Sequence, residues 1–474
     1  MADGGSHETL LEKERFSCKT RLYLAAFSAF MSSISFGLTV SYSSPALPNI
    51  RKRLPISDSR NGWFGSLVSI GAAFGGLAGG QLMNFVGRRG AMLFAALLYV
   101  VGFLLIEATL LIELMFVGRF LTGIATGISA VVVPVFLSEV SPPDIRGFIN
   151  ALSAVAVTSG AFLDFVLGKW LNFQWLAVAC MVPSVILVFS MPFVAETPRW
   201  LLQTGKSEEA IAALRFYQGP DVKEEFDALS INVANVTKFV IRDFKQPCVY
   251  KPFLITLLGM FLQQFSGIMI MLYYAQDIFT TAESTIDAAL SSIIIGGVQV
   301  ASVSVTVFFT DRLGRKALML ISTLVSCVSL IIMGLFYHLK EIHGHSFVAS
   351  YGWLPLAALC LFMFGYSVGL GPLPWLLMGE MLPLRIKCFA TGFSTAFNFA
   401  CSAIIVSEYH SMIVELGNDG IYWFYAGFML IGFVLVLMFQ PETKGKTLEE
   451  IEDLFSRQGV VANESDNESV PFVN

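Results

Sequence analysis

Long apolar runs separated by short charged segments dominate this chain. The runs fall near residues 21–43, 62–83, 91–109, 112–137, 148–168, 173–194, 253–276, 289–310, 317–338, 352–378, 388–410 and 421–440. Each approaches or exceeds the roughly 20 apolar residues that carry a helix across a bilayer. Inside hydrocarbon a helix satisfies its own backbone donors and acceptors, so the pattern predicts an all-α membrane protein with twelve transmembrane helices. Between the sixth and seventh runs lies a polar segment, 195–252, rich in Lys and Glu, in which Ser207 to Tyr217 reads as an amphipathic helix. The predicted organisation is an N-terminal tail (1–20), a six-helix half (21–194), a linker with short amphipathic helices (195–252), a second six-helix half (253–440) and a C-terminal tail (441–474).

The two halves echo each other. Asn84-Phe85-Val86-Gly87-Arg88-Arg89 is answered by Asp311-Arg312-Leu313-Gly314-Arg315-Lys316. Glu139, followed seven residues later by Arg146, is answered by Glu380 and Lys387 at the same interval. Glu196-Thr197-Pro198-Arg199 is answered by Glu442-Thr443-Lys444-Gly445. The echoes keep one order, which predicts two pseudo-symmetric six-helix halves related by an axis along the membrane normal, the major facilitator fold.

Charge then orients the chain. With the N-terminus inside, the inner loops hold Arg88, Arg89, Arg146, Arg199, Arg312, Arg315, Lys316, Arg385, Lys387, Lys444 and Lys446, whereas the outer side holds mainly Arg51, Lys52, Arg53, Arg60, Lys169 and Lys340. That bias predicts both termini in the cytosol. The sequons at Asn463 and Asn467 then fall on the inner side, where glycosylation is not expected. The net charge of −5 adds little, because the position of the bases matters more than their sum. Topology explains the inner bases but not the regularly placed acids Glu139, Glu196, Asp311, Glu380 and Glu442. If the halves rock against each other, pairs of these acids with Arg88, Arg89, Arg146, Arg199, Arg315 and Lys387 can lock the inner face and separate when it opens.

Two neutral amides, Gln263 and Gln264, interrupt the apolar run of the seventh helix. An amide in hydrocarbon is costly without partners, so this face turns to the protein interior or to a wet cavity. Uncharged amides suit a polyhydroxyl ligand better than an ion. They also suit a simpler role, as polar glue between helices. Gly267 beside them permits a local break of the kind that transporters use at midplane sites.

Composition excludes several classes. The chain is 55% hydrophobic and 14% charged, with a mean hydropathy of +0.69, which no soluble domain of 474 residues needs. Residues 1 to 19 lack an apolar h-region, so no cleavable signal peptide is expected. The seven Cys are scattered without metal-type spacing and read as structural. The five His (7, 338, 343, 345 and 410) are dispersed, no nucleophile or nucleotide constellation is visible, and Gly71-Ala72-Ala73-Phe74-Gly75-Gly76 reads as helix packing because no Lys-Ser/Thr follows it. An enzyme, a cofactor, a metal and a nucleic-acid partner are not expected, and nothing predicts an oligomer.

The assembled motifs resemble the sugar-porter family of the major facilitator superfamily over about residues 25 to 455. The resemblance rests on Gly87-Arg88-Arg89, Gly118-Arg119-Phe120, Glu139 with Arg146-Gly147, Glu196-Thr197-Pro198-Arg199, Gln263-Gln264-Phe265-Ser266-Gly267, Gly371-Pro372-Leu373-Pro374-Trp375 and Pro441-Glu442-Thr443-Lys444-Gly445. Within the family, Ser41-Tyr42-Ser43-Ser44-Pro45-Ala46-Leu47 and Trp375-Leu376-Leu377-Met378-Gly379-Glu380 look most like insect facilitated trehalose transporters. The resemblance implies facilitated transport of a small neutral sugar, trehalose or a hexose, across the plasma membrane. It implies that Gln263, Gln264, Gln299 and Asn398 hold hydroxyls, that Trp375 lies under the sugar ring, and that Gly371, Pro372 and Pro374 form a hinge in helix 10. Tyr273 and Tyr274 would close the outer side.

The chain departs from the glucose-carrier pattern at Met269, where family members carry Asn, at Ala154, where glucose-selective members carry Gln, and at Phe399, where Trp is common. Proton-coupled members place an Asp in helix 1. Thr39 stands there, and no acid lies between Arg21 and Leu47, which favours a uniporter over a proton symporter. Asp164 and Glu408 lie near outer helix ends and read as solvated. A non-transporting sugar sensor is a further alternative, disfavoured by the short tail after Gly445.

Overall fold

A computed structural model describes residues 4–54, 58–108, 111–219, 222–234, 244–383, 386–444, 450 and 455; Asn463, Asn467 and most of the C-terminal tail lie outside them. Asp311 is described in its backbone only. The first group of helices is α1 (Gly4–Ser41), α2 (Ser43–Arg53), α3 (Asp58–Glu107), α4 (Ile112–Val140), α5 (Pro143–Gly168) and α6 (Phe173–Ser190). Three short helices follow, α7 (Pro198–Gln203), α8 (Ser207–Gln218) and α9 (Lys223–Ala234). The second group is α10 (Pro247–Gln264), α11 (Ile268–Tyr273), α12 (Ala275–Thr281), α13 (Ala288–Leu313), α14 (Arg315–His343), α15 (His345–Tyr351), α16 (Leu354–Val368), α17 (Leu373–Met381) and α18 (Lys387–Phe439).

Ten helices among the described residues are long and apolar enough to cross a membrane. Two of them, spanning 48 and 51 residues, have twice the length one crossing needs. They double back at Gly87 in α3 and Gly417 in α18, whose φ/ψ of 81°/173° and 79°/170° are non-helical, and this makes twelve crossings. The helix predicted at Ser207 to Tyr217 is α8, and α1 begins well before the predicted first run.

Within the first half α1 packs on α4, α5 and α6, and α3 packs on α4; in the second, α14 packs on α16 and α18. The glycine-rich run of α3 is helix packing, as expected: a Cβ at Gly71 would strike the Phe120 carbonyl, and one at Gly75 the Ile124 carbonyl. The halves meet where α3 lies along α18, α5 along α13, and α2 beside α12. With an even number of crossings, both termini share one face, called here the terminal face; the other is the far face.

The internal repeat is exact enough in chemistry to superimpose bond for bond on the terminal face. Gly87 and Gly314 both turn with positive φ, 81° and 88°. A carboxylate fills the space where a Cβ would stand, Glu196 in one half and Glu442 in the other. Glu196 accepts from the backbone N–H groups of Arg88 (3.1 Å) and Arg89 (3.1 Å), and Glu442 accepts from those of Arg315 (2.9 Å) and Lys316 (3.1 Å). The same arginines then reach sideways, Arg88 to Glu139 at 2.9 Å and Arg315 to Glu380 at 2.8 Å.

Candidate functional site

The seventh crossing is broken where the sequence predicts. The regular helix α10 stops at Gln264, Gly267 takes φ +84°, and α11 resumes at Ile268. The ring of Tyr425 packs 3.3 Å from the position a Cβ would take at Gly267. The tenth crossing is broken too: α16 ends at Val368, and α17 starts at Leu373 behind Gly371 and Pro372. A helix break leaves carbonyls that need donors.

Gln263 supplies them. Its Nε2 donates to the Leu370 carbonyl at 2.9 Å and to the Gly371 carbonyl at 2.7 Å, while its Oε1 accepts from Asn398 Nδ2 at 2.8 Å. Asn398 also donates to the Met260 carbonyl at 3.1 Å and accepts from Gln264 Nε2 at 2.8 Å. One amide network thus ties the breaks of α10 and α16–α17 to α18. Gln263 is fully engaged by protein groups. The exception in the network is Gln264 Oε1, which is buried without a hydrogen-bond partner. Gln299, on α13, likewise buries an unpartnered Oε1. Trp375, on the first turn of α17, is half-buried against a cluster that includes Val249, Met260 and Met378. Met269 is buried and brings no polar atom.

The two free atoms are both acceptors. An unmet buried polar atom costs about 1–3 kcal/mol, which a hydroxyl donor entering the site would recover.

Tyr273 and Tyr274 are fully buried on the far side of the break. Tyr274 stacks on Tyr409, with ring centroids 4.6 Å apart, and Tyr273 lies 3.4 Å from Ser69 Oγ. Ser69 in turn bonds Ser402 across the two halves at 2.8 Å. The far side is closed in this conformation.

On the terminal face, Arg88, Glu139, Arg315 and Glu380 of the expected network form ion pairs. Each resolved ion pair stays inside one half: Arg88 with Glu139, and Arg315 with Glu380, which also accepts from Thr443 at 2.8 Å. Among the described residues none bridges the halves on this face. Arg146, which shares its interval with Glu139, instead donates to the Ser141 carbonyl at 3.4 Å, and Lys387 donates to the Gly379 carbonyl at 2.7 Å. The seven-residue interval places each base more than a turn beyond its acid, across the loop. Each acid is taken instead by the arginine that follows the Gly87 or Gly314 turn.

The paired carboxylates Glu196 and Glu442 differ in environment. Burial raises the Glu196 carboxyl above its usual range, overcoming the N–H groups of Thr197, Arg89 and Arg88. Burial also penalises Glu442, but less deeply, and the N–H groups of Lys444, Arg315, Lys316 and Thr443 together hold its carboxyl below the usual range. By linkage, the contribution of Glu442 to stability is present above the ordinary carboxylate value and is lost as pH falls through its lowered one. That of Glu196 is present at low pH and is lost as pH rises through its raised one. Glu442→Gln is therefore expected to lower the melting temperature at neutral pH by an amount that shrinks on acidification. Glu196→Gln is expected to cost less at neutral pH, with a cost that grows on acidification. Melting curves of the purified variants from pH 7 downward test both.

Two buried ionisable groups were not anticipated. Asp164, read from sequence as solvated, is fully buried. It faces inward from α5 and accepts from Cys180 Sγ on α6 at 3.6 Å, while its Oδ2 has no hydrogen-bond partner. Height near the helix end did not bring water, because this side of α5 is covered by α1 and α6. Arg119 on α4 is equally buried and bonds only neutral acceptors: the carbonyls of Phe64 (3.3 Å) and Thr39 (3.1 Å) and Ser43 Oγ (2.7 Å). Its guanidinium also lies 5.4 Å from the Tyr42 ring centroid and 5.0 Å from that of Phe64. Glu408 is exposed, as expected.

Known proteins share this architecture throughout. The family described as "Sugar (and other) transporter" matches residues 22–455. A facilitated trehalose transporter, Tret1, of Apis mellifera ligustica is 34% identical over 94% of this chain and 91% of its own. The bovine facilitated glucose transporter member 8 of solute carrier family 2 is 35% identical over 91% of this chain and 94% of its own. Among solved structures, the proton:xylose symporter XylE bound to 6-bromo-6-deoxy-D-glucose superimposes with a TM-score of 0.77 at 21% identity, covering 92% of this chain and 99% of that one. An inward-open structure of XylE from E. coli gives a TM-score of 0.75 at 22% identity over 91% and 99%. With the match running through both halves, the linker and the broken helices, this chain belongs to the sugar transporter family, a non-enzymatic membrane carrier of the major facilitator fold.

Proposed function

We propose that this protein carries a small neutral sugar, trehalose or a hexose, across the plasma membrane by facilitated alternating access. The observation that carries the proposal is the pair of unpartnered acceptor oxygens buried in the second half, on Gln264 within the amide network and on Gln299 of α13. Hydroxyl donors of a sugar complete them, Asn398 and Gln263 hold the frame, and the half-buried Trp375 offers an aromatic face to a ring. Tyr273 and Tyr274 act as the far-side gate, and Gly371, Pro372 and Pro374 as the hinge. The two arginine–glutamate clusters brace each half as a rigid body during rocking. The bias of Lys and Arg supports a cytosolic terminal face. The similarity to relatives named for facilitated trehalose and glucose transport supports the substrate class.

Uniport is supported by the membrane-spanning part of helix 1, where the Thr39 hydroxyl is engaged by the Ser35 carbonyl at 2.8 Å and no acid lies between Arg21 and Leu47. The burial of Asp164 favours a second reading, a proton-coupled carrier, because an ionisable group inside a membrane bundle is a candidate proton site. Radiolabelled uptake of glucose, fructose, trehalose and polyols into proteoliposomes, with and without a pH gradient, separates the two. The expected result is saturable uptake of at least one sugar that does not respond to the gradient and survives Asp164→Asn. Gradient-driven accumulation that Asp164→Asn abolishes while exchange persists would establish the second reading instead. No uptake of any of them would remove the transport proposal.

A further inference from the structure

Among the described residues, the ion pairs that cross between the halves are on the far face, not on the terminal face. Arg51, at the end of α2 in the first half, donates from both terminal nitrogens to Asp277 of α12 in the second, at 3.1 and 3.0 Å. The pair is forked and partly shielded, with side-chain exposures of 32% and 24%. One residue before Asp277, the backbone N–H of Gln276 donates to Ser44 Oγ at 3.2 Å, again across the halves. A looser contact, Lys169 with Asp287 at 3.8 Å, joins the end of α5 to the start of α13. These links sit directly above the stacked Tyr274, which precedes α12 by one residue.

We infer that Arg51 and Asp277 form a latch that holds the far side shut, and that they are positioning residues setting the balance between the two open states of the carrier. A forked guanidinium–carboxylate pair is stronger and more directional than a single contact, and partial burial limits screening. Separation of α2 from α12 has to break it, so its free energy belongs to one conformation and not to the other. A contact made in only one of two states shifts the equilibrium between them. The braces at Gly87 and Gly314 behave differently: each lies within a single half and survives rocking unchanged. The latch therefore biases the empty carrier toward the state open at the terminal face. It does so through α12, which carries the gate tyrosines' end of the broken seventh crossing.

The test needs no sugar. Spin labels are attached at Lys52→Cys on α2 and Thr281→Cys on α12, both exposed positions, in the full chain in lipid nanodiscs with the other reactive cysteines replaced. The interlabel distance distribution reports the far-side opening. Arg51→Gln and Asp277→Asn are each expected to raise the population of the longer, open distance relative to the closed one by about tenfold. The exchanged pair, Arg51→Asp with Asp277→Arg, is expected to return most of the population to the short distance. A general loosening of the fold would not be reversed by exchanging the charges. Single variants with the wild-type distribution, or an exchanged pair as open as the singles, would overturn the inference. Because the readout is a distance in the empty carrier, its failure is distinct from failure of the sugar assignment.

Discussion

Gln263→Leu is expected to reduce sugar uptake by ten- to a hundredfold while the protein still reaches the cell surface. The side chain makes three hydrogen bonds, two to carbonyls freed by the break before α17 and one from Asn398. Leucine fits the volume but leaves two acceptors and one donor unmet in a dry interior, each at about 1–3 kcal/mol when no water reaches it. Part of that cost disappears as the segment relaxes, and relaxation is what removes function: Gly371, Pro372 and Trp375 lose their fixed place. Asn398 loses an acceptor and turns, which releases Gln264 as well. A residual loss of about 1.4–2.8 kcal/mol in sugar binding corresponds to the expected range. Gln264→Leu removes one free acceptor and one bond, so a smaller loss is expected from it. Uptake measured against surface-biotinylated protein decides the matter; unchanged uptake in Gln263→Leu would sink the assignment of this network to the substrate.

The second large effect is expected at the glycines of the repeat. Gly87→Ala places a methyl group on the Glu196 carboxylate, and Gly314→Ala places one 2.6 Å from Glu442 Oε2. Both glycines hold positive φ, which costs a residue with a Cβ about 1–3 kcal/mol by itself. The displaced carboxylate then abandons the N–H groups at the start of the next helix, and the arginine beyond loses its aim at Glu139 or Glu380. Each alanine variant is expected to lower the melting temperature in detergent markedly. Gly205→Ala is the control: it has φ +79° with nothing within 4 Å of a new Cβ, so it isolates the backbone term. Equal melting temperatures for Gly87→Ala and Gly205→Ala would mean that the Glu196 contact contributes nothing to stability.

Much of the fold is legible in the sequence because bilayer physics is one-dimensional. Run length gives the crossings, Lys and Arg give a direction, and the glycines at 87 and 314 announce a repeat. The break at Gly267 is legible for a local reason, since a glycine follows two amides that cannot face lipid. Facing is harder to read. Asp164 has the right height for water and the wrong azimuth, because α1 and α6 cover its side of α5. Arg119 carries no local sign that its charge would be met by the Thr39 and Phe64 carbonyls. The repeat shows which charges correspond but not which ones bond, and the pairs within each half emerge only when Arg88 and Arg315 are seen turning toward Glu139 and Glu380. Arg51 and Asp277 are 226 residues apart, so nothing local in either segment points to the other.

The two free oxygens on Gln264 and Gln299 bear on what happens to a sugar after it has crossed. They present lone pairs, and the amide hydrogens of Gln263 and Asn398 are committed to Leu370, Gly371, Met260 and the Gln263 oxygen. A neutral hydroxyl brings the missing hydrogen, whereas a phosphate monoester brings only negative oxygens into a buried setting with no cation in the amide network to meet them. If the proposed uniport holds, chemistry on the arrival side that adds a phosphate to the sugar would thus turn a reversible carrier into a one-way supply.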